Sequence, residues 1–200
     1  MTDSIMFHEG NRQLQDQFDS RRISDRLESL SRTQFTPDDQ AFIESAPYFF
    51  LATGDAEGRP DCSFKGGMPG FVRVTGPSGL AFPDYDGNGM FKSLGNILVN
   101  AEIGMLFIAM HGKPQRLRIS GTATVSREDP LLATTVGAQL MVRVTARVIF
   151  PNCPRYIPDM QLADPSVYTP RPGVESPEPA WKDFNRFKDC IHPRQPTFKG

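Results

Sequence analysis

Cysteine, histidine and tryptophan are scarce in this 200-residue chain, at three, three and one, and the scarcity excludes several kinds of protein. Cys62, Cys153 and Cys190 form an odd, scattered set without metal-ligand spacing, so reduced thiols in a cytoplasmic protein are expected rather than a disulfide framework. His8, His111 and His192 fall in no zinc-like pattern, and no metal site is expected. No apolar run reaches the ~20 residues needed to span a bilayer. The opening MTDSIMFHEGNRQLQDQF is too polar for a secretory signal. A net charge of −1 gives no global field to attract nucleic acid or anionic lipid, so any anion must be held locally.

What is plentiful is punctuation. Eighteen prolines and seventeen glycines imply many turns, with the core concentrated in one part of the chain. Residues 8–31 read as helical, with Leu14, Phe18, Ile23, Leu27 and Leu30 as a thin apolar stripe suited to packing on the rest of the domain or on a partner subunit. Thr36-Pro37-Asp38-Asp39 starts a second helix, with Thr36 as N-cap and acids in the first turn. From Tyr48 the pattern turns to β: strands are expected at 48–53, 61–65, 71–75, 80–82, 102–110, 115–125 and 138–150, with a hairpin turn at 54–58. Such spacing implies a barrel or sandwich. The proline-rich stretch 161–200 reads either as a tail wrapping the surface on Trp181, Phe184 and Phe187, or as disorder from 165 onward. The expected division is an arm (1–46), a barrel domain (47–160) and a tail (161–200).

The segment GLAFPDYDGNGMFKSLGNILVNAEIGMLFI, residues 79–108, is a strand, a glycine-punctuated turn, a short helix and a second strand. Asn88 is expected to cap the helix, with flanking amides facing an anion and Lys92 and Ser93 as further donors. Phe91, Leu94, Ile97 and Leu98 would bury the opposite face. The same residues also suit a plain capped connecting helix. GNGMFK is neither a dinucleotide fingerprint nor a nucleoside-triphosphate loop. In Ser63-Phe64-Lys65-Gly66-Gly67, a lysine ends a strand and glycines would let backbone approach a flat ligand, though a solvated lysine beside a turn fits equally. Arg73, Arg116 and Arg118 could complete a phosphate site, the last two projecting from one strand face.

The runs PDCSFKGGMPGFVRV, LAFPDYDGNGMFKSLGNILVNAEIGMLFI and LRISGTATV, in that order, resemble the FMN-binding split barrel of the pyridoxamine 5′-phosphate oxidase-like flavoproteins over roughly residues 40–150. FHEGNRQLQDQFDSRR and NCPRYI resemble a bacterial subgroup of that family whose reactions are mostly unassigned. The resemblance implies a mainly β fold: a six-stranded antiparallel Greek-key barrel with flanking helices. It also implies a homodimer with FMN at the subunit interface.

Carried over, Ser63, Phe64, Lys65 and Gly66 would line the flavin, and Asn88, Lys92 and Ser93 would hold its phosphate. Arg116 and Arg118 would reach the phosphate or the ring edge, and Arg155 and Tyr156 would approach the flavin of the partner subunit. The substrate-phosphate residues of the true oxidases and their C-terminal Trp and Arg-His-x-Arg ending are missing, since SREDPLLATTVGAQ and PTFKG stand there. The expectation is thus an FMN-dependent oxidoreductase acting on a small molecule, with NADH or NADPH as donor. The alternatives are a non-catalytic flavin or haem carrier or sensor, and a deazaflavin site. No catalytic residue is assigned; His111 falls in a turn, and Asp84 and Asp86 read as loop-shaping.

Overall fold

The computed structural model describes residues 4–110, 112–154, 156–158, 160 and 164–184. His111, Arg155, Phe187 and Cys190 therefore lie outside the described residues. The expected helix over 8–31 is two helices, α1 (Glu9–Gln17) and α2 (Arg21–Glu28). Asp19, at φ 48°, breaks them apart, because an L-residue in the left-handed region cannot continue a right-handed helix. Arg12 joins the pair, donating to Asp25 at 2.6 Å and Glu28 at 3.2 Å. The apolar stripe of this arm faces outward, with Phe18 78% exposed. A two-way backbone bridge between Arg32 and Ile149 ties the arm to the barrel.

Helix α3 (Pro37–Ser45) starts as its sequence predicts. Thr36 accepts from the Asp39 amide, Asp39 accepts from the Thr36 amide, and Pro37 fills the first helical position. Arg32 then pairs with Asp39 at 2.7 Å.

Seven strands follow: β1 (Tyr48–Gly54), β2 (Pro60–Gly66), β3 (Arg73–Val74), β4 (Gly79–Tyr85), β5 (Glu102–Ala109), β6 (Gln115–Ser126) and β7 (Ala138–Pro151). They form one antiparallel sheet in the order β2-β1-β5-β6-β7-β4-β3. The seventh strand is the two-residue β3; the rest of the expected strand 71–75 is spent on a turn that buries Phe71 and Val72. The fold is mainly β, as expected. Its sheet curls without closing, since β2 and β3 remain edges.

The curl follows from packing. β1 and β4 are four strands apart, roughly 19 Å in a flat sheet at about 4.8 Å per strand. Yet the rings of Phe49 and Phe82 lie 4.9 Å apart, and Phe49 also stacks on Phe71 and Phe107. The sheet has therefore wrapped around one aromatic core, completed by Leu51, Leu80, Leu117, Ile119, Val142 and Ile149, all buried. Helix α4 (Lys92–Val99) lies over β1, β2 and β6. Only Leu94 and Ile97 of its expected apolar face are buried, whereas Phe91 is exposed and Leu98 is 74% exposed. Polar Ser93 and Asn96 take the other inward positions, and Asn96 donates to Thr53 at 3.0 Å.

Candidate functional site

The two faces of the sheet sort the candidate residues. Ser63 on β2 pairs across to Leu51, Met105, Ile119 and Ile149 in a row on the core face. Phe64, one residue on, begins the opposite row: Phe50, Leu106, Arg118 and Phe150. Strand alternation alone therefore places Asp61, Ser63 and Lys65 inside and Phe64 and Gly66 outside. The residues brought together are Asp61, Ser63 and Ser93. Ser93 Oγ donates to Asp61 Oδ2 at 3.2 Å and lies 2.9 Å from Ser63 Oγ. As a hydroxyl has one proton, Ser63 then donates to Ser93.

The entry to α4 corrects the expected cap. Asn88 stands four residues before the first helical residue, and its side chain accepts from the Met90 amide at 3.0 Å instead of serving the helix. Gly89 at φ 75° and Phe91 at φ 47° turn the chain, so Phe91 occupies the cap position with no side-chain hydrogen bond. The first amides of α4 are consequently left unsealed by any cap, with the Lys92 and Ser93 side chains beside them. Lys92 is exposed and lies within electrostatic reach of Asp55.

Lys65 belongs to β2 and Asp84 to β4, five strands apart in the sheet, yet the lysine acts electrostatically on the carboxylate. That interaction crosses the open seam of the curled sheet. Burial pushes the Asp84 carboxyl up, opposed by a hydrogen bond from Gln139 at 2.9 Å and by the Lys65 charge. Burial also pushes the Tyr85 hydroxyl up to about 12.

The other predicted cations do not join this cluster. Arg116 and Arg118 share the outer face of β6. Arg116 donates to the Cys153 carbonyl at 2.6 Å, and Arg73 turns to Thr134. Arg116, Phe42, Lys113 and Asn152 line an open recess of about 710 Å³, which no residue of the serine cluster enters. Tyr156 is 90% exposed. Around Phe64 the outer face carries a three-ring cluster, with Tyr48 at 5.4 Å and Phe50 at 6.0 Å, and Phe64 remains 62% exposed.

Sequence reasoning missed Asp61, although a period of two from Ser63 would have placed it on the same face. It also missed Gln139 and Lys182. The lysine donates to Asp86 from 96 residues away at 2.8 Å, and no local signal announces that contact.

As a receptor, the entry of α4 fits a phosphate. Uncapped helix amides and Lys92 are complementary to an anion, and the Ser93 hydroxyl can serve one by turning away from Asp61, while the carboxylates of Asp61 and Asp55 oppose it. Among the described residues, no helix is long and apolar enough to cross a membrane.

No curated protein matches the sequence. Solved structures resemble it at low identity. One is an FMN-binding protein from Syntrophomonas wolfei, 9% identical over 71% of this chain and 96% of that one, with a TM-score of 0.44. Another is HutZ, a heme storage protein from Vibrio cholerae, 17% identical over 59% and 95%, with a TM-score of 0.44. A third is HupZ from Group A Streptococcus, 18% identical over 58% and 93%, with a TM-score of 0.47. The family model described as pyridoxamine 5′-phosphate oxidase matches residues 35–164, which takes in α3, all seven strands and α4. With that span of the chain accounted for, the protein is a member of the pyridoxamine 5′-phosphate oxidase family.

Proposed function

We propose that the protein binds FMN and works as an FMN-dependent oxidoreductase on a small organic substrate. The observation that carries this reading is the uncapped start of α4 beside the Ser63–Ser93 pair, in a chain of this family. Lys92, Ser93 and the first amides of α4 hold the phosphate, and Ser63 supports Ser93. Asn88 shapes the turn that leaves those amides open. Lys65 and Gly66, at the end of β2, border the flavin. The chemistry FMN supplies when bound is two-electron exchange, with NADH or NADPH as donor. The chain's own part is to hold the coenzyme and to place positive charge near it.

The inner-face serines and the outer-face arginines cannot serve one ligand within one copy, because a sheet separates them. A homodimer resolves this. Two copies meet through the outer face around Tyr48, Phe50 and Phe64, so that Arg116, Arg118 and Tyr156 of one copy approach the coenzyme held by the other. Arg155, outside the described residues, belongs to the same proposal. A cytoplasmic location agrees with this chemistry.

The test is the spectrum and mass of the molecule that copurifies. Flavin bands that NADH or NADPH bleaches without oxygen support the reading. Colourless protein that gains a Soret band with hemin overturns it in favour of a haem carrier. Phe64→Asp tests the dimer: the variant should sediment as a monomer and, without the partner's contribution, hold FMN more weakly.

A further inference from the structure

The segment after the barrel returns to the candidate site. Residues 164–184 pass the start of β7 and the end of β4. A Cβ added at Gly137 would lie 2.6 Å from Pro170, so the two are in close contact, and Tyr85 lies beside them. A turn follows, bridged between Arg171 and Val174, and then one 3-10 turn at Ala180–Asp183. From that turn Lys182 donates to Asp86 at 2.8 Å and pairs with Glu178 at 3.1 Å. Its side chain is only 12% exposed. A lysine withdrawn from water this far is tolerated because carboxylates meet it.

Asp86 begins the turn that runs through Asn88 and Phe91 to the open start of α4. Its charge is felt by Asp84, which in turn feels Lys65. Two aspartates flanked by two lysines (Lys65, Asp84, Asp86 and Lys182 in order) thus run from the sheet edge to the tail. Gln139 braces the entry to the turn, donating to Asp84 at 2.9 Å and to the Tyr85 carbonyl at 3.1 Å. Lys182 braces the next position from outside.

We propose that Lys182 is a positioning residue for the anion site: it fastens the 86–91 turn and cancels the Asp86 charge that would otherwise repel a phosphate. This rests on the proposed FMN site for its second half only. The fastening holds whatever ligand is bound.

Lys182→Met, Lys182→Arg and Lys182→Met with Asp86→Asn, all in the full chain, test it by two readouts. Amide hydrogen exchange over 86–91 reads the fastening, and FMN fluorescence quenching reads the affinity. Lys182→Met should speed exchange in the turn and weaken FMN about tenfold, the size of one charge-assisted contact. Arginine should restore both. The double variant should regain affinity while exchange stays fast, because its charge balance returns without the tether. Unchanged exchange in Lys182→Met overturns the fastening, and faster exchange with unchanged FMN affinity overturns the role in binding. A native chain that takes up no FMN overturns the flavin reading and the role in binding with it, while the exchange rates still decide the fastening.

Discussion

Helices α3 and α4 are nearly the same length and both follow a tight turn, but one begins closed and the other open. At α3 every device for sealing a helix start is in use: Thr36, Pro37, Asp38 and Asp39, with Arg32 outside them. At α4 the cap position holds Phe91 in a left-handed conformation, no acid stands in the first turn, and a lysine and a serine follow. Both helices carry the same dipole and the same orphan amides. The protein caps the first set with its own side chains and makes no side-chain cap on the second. On the proposed function, the contrast separates a structural helix start from a receptor.

The largest expected effect comes from making α4 resemble α3. Ser93→Asp puts an acid in the first turn, where it meets the phosphate and Asp61. FMN affinity in a fluorescence titration should fall by on the order of a hundredfold or more. Unaltered uptake would mean that the anion docks elsewhere.

A milder change removes the hydroxyls alone. Ser63→Ala with Ser93→Ala should cost about 1.5–3 kcal/mol of binding, roughly ten- to a hundredfold in Kd, without altering the urea midpoint. Asn88→Ala should weaken binding less than the serine pair does, because that side chain acts only through the Met90 amide and the turn it shapes.

At the closed helix the readouts reverse. Thr36→Ala should lower stability by about 1 kcal/mol in urea unfolding and leave FMN affinity alone. A loss of affinity there would erase the distinction between the two helices.

The smallest effect is in pH. Asp84 has its pKa raised by burial, so the folded protein binds this proton more tightly than the unfolded chain. Stability should therefore fall as pH rises from the ordinary carboxylate value through the raised one, and stay lower above it. Asp84→Asn should flatten that part of the stability curve. An unchanged slope in the variant would show that the seam carboxylate is not its source.

Several elements were legible because their signals are local. The capping residues at 36–39 started α3 where expected, and the hairpin turn at 54–58 joined β1 to β2. Alternation in VRVTARV gave β7 one wet face. The start of α4 is hidden in the sequence, because Asn88 has the chemistry of a cap. Two positive φ angles downstream, at Gly89 and Phe91, move the helix along by a turn. Phe64 follows Ser63 in the chain but faces the other side of the sheet, because neighbouring strand residues alternate.

By itself the sequence determined the run of strands, the turns between them and the sealed start of α3, since each depends on residues within a few positions of one another. Tertiary structure decided what meets what. Ser63 finds Ser93 across 30 residues and Lys182 finds Asp86 across 96. Lys65 faces Asp84 because an aromatic core curls the sheet until its far strands approach. Burial of that core drives the curl, and the polar residues carried along its seam come together as a consequence.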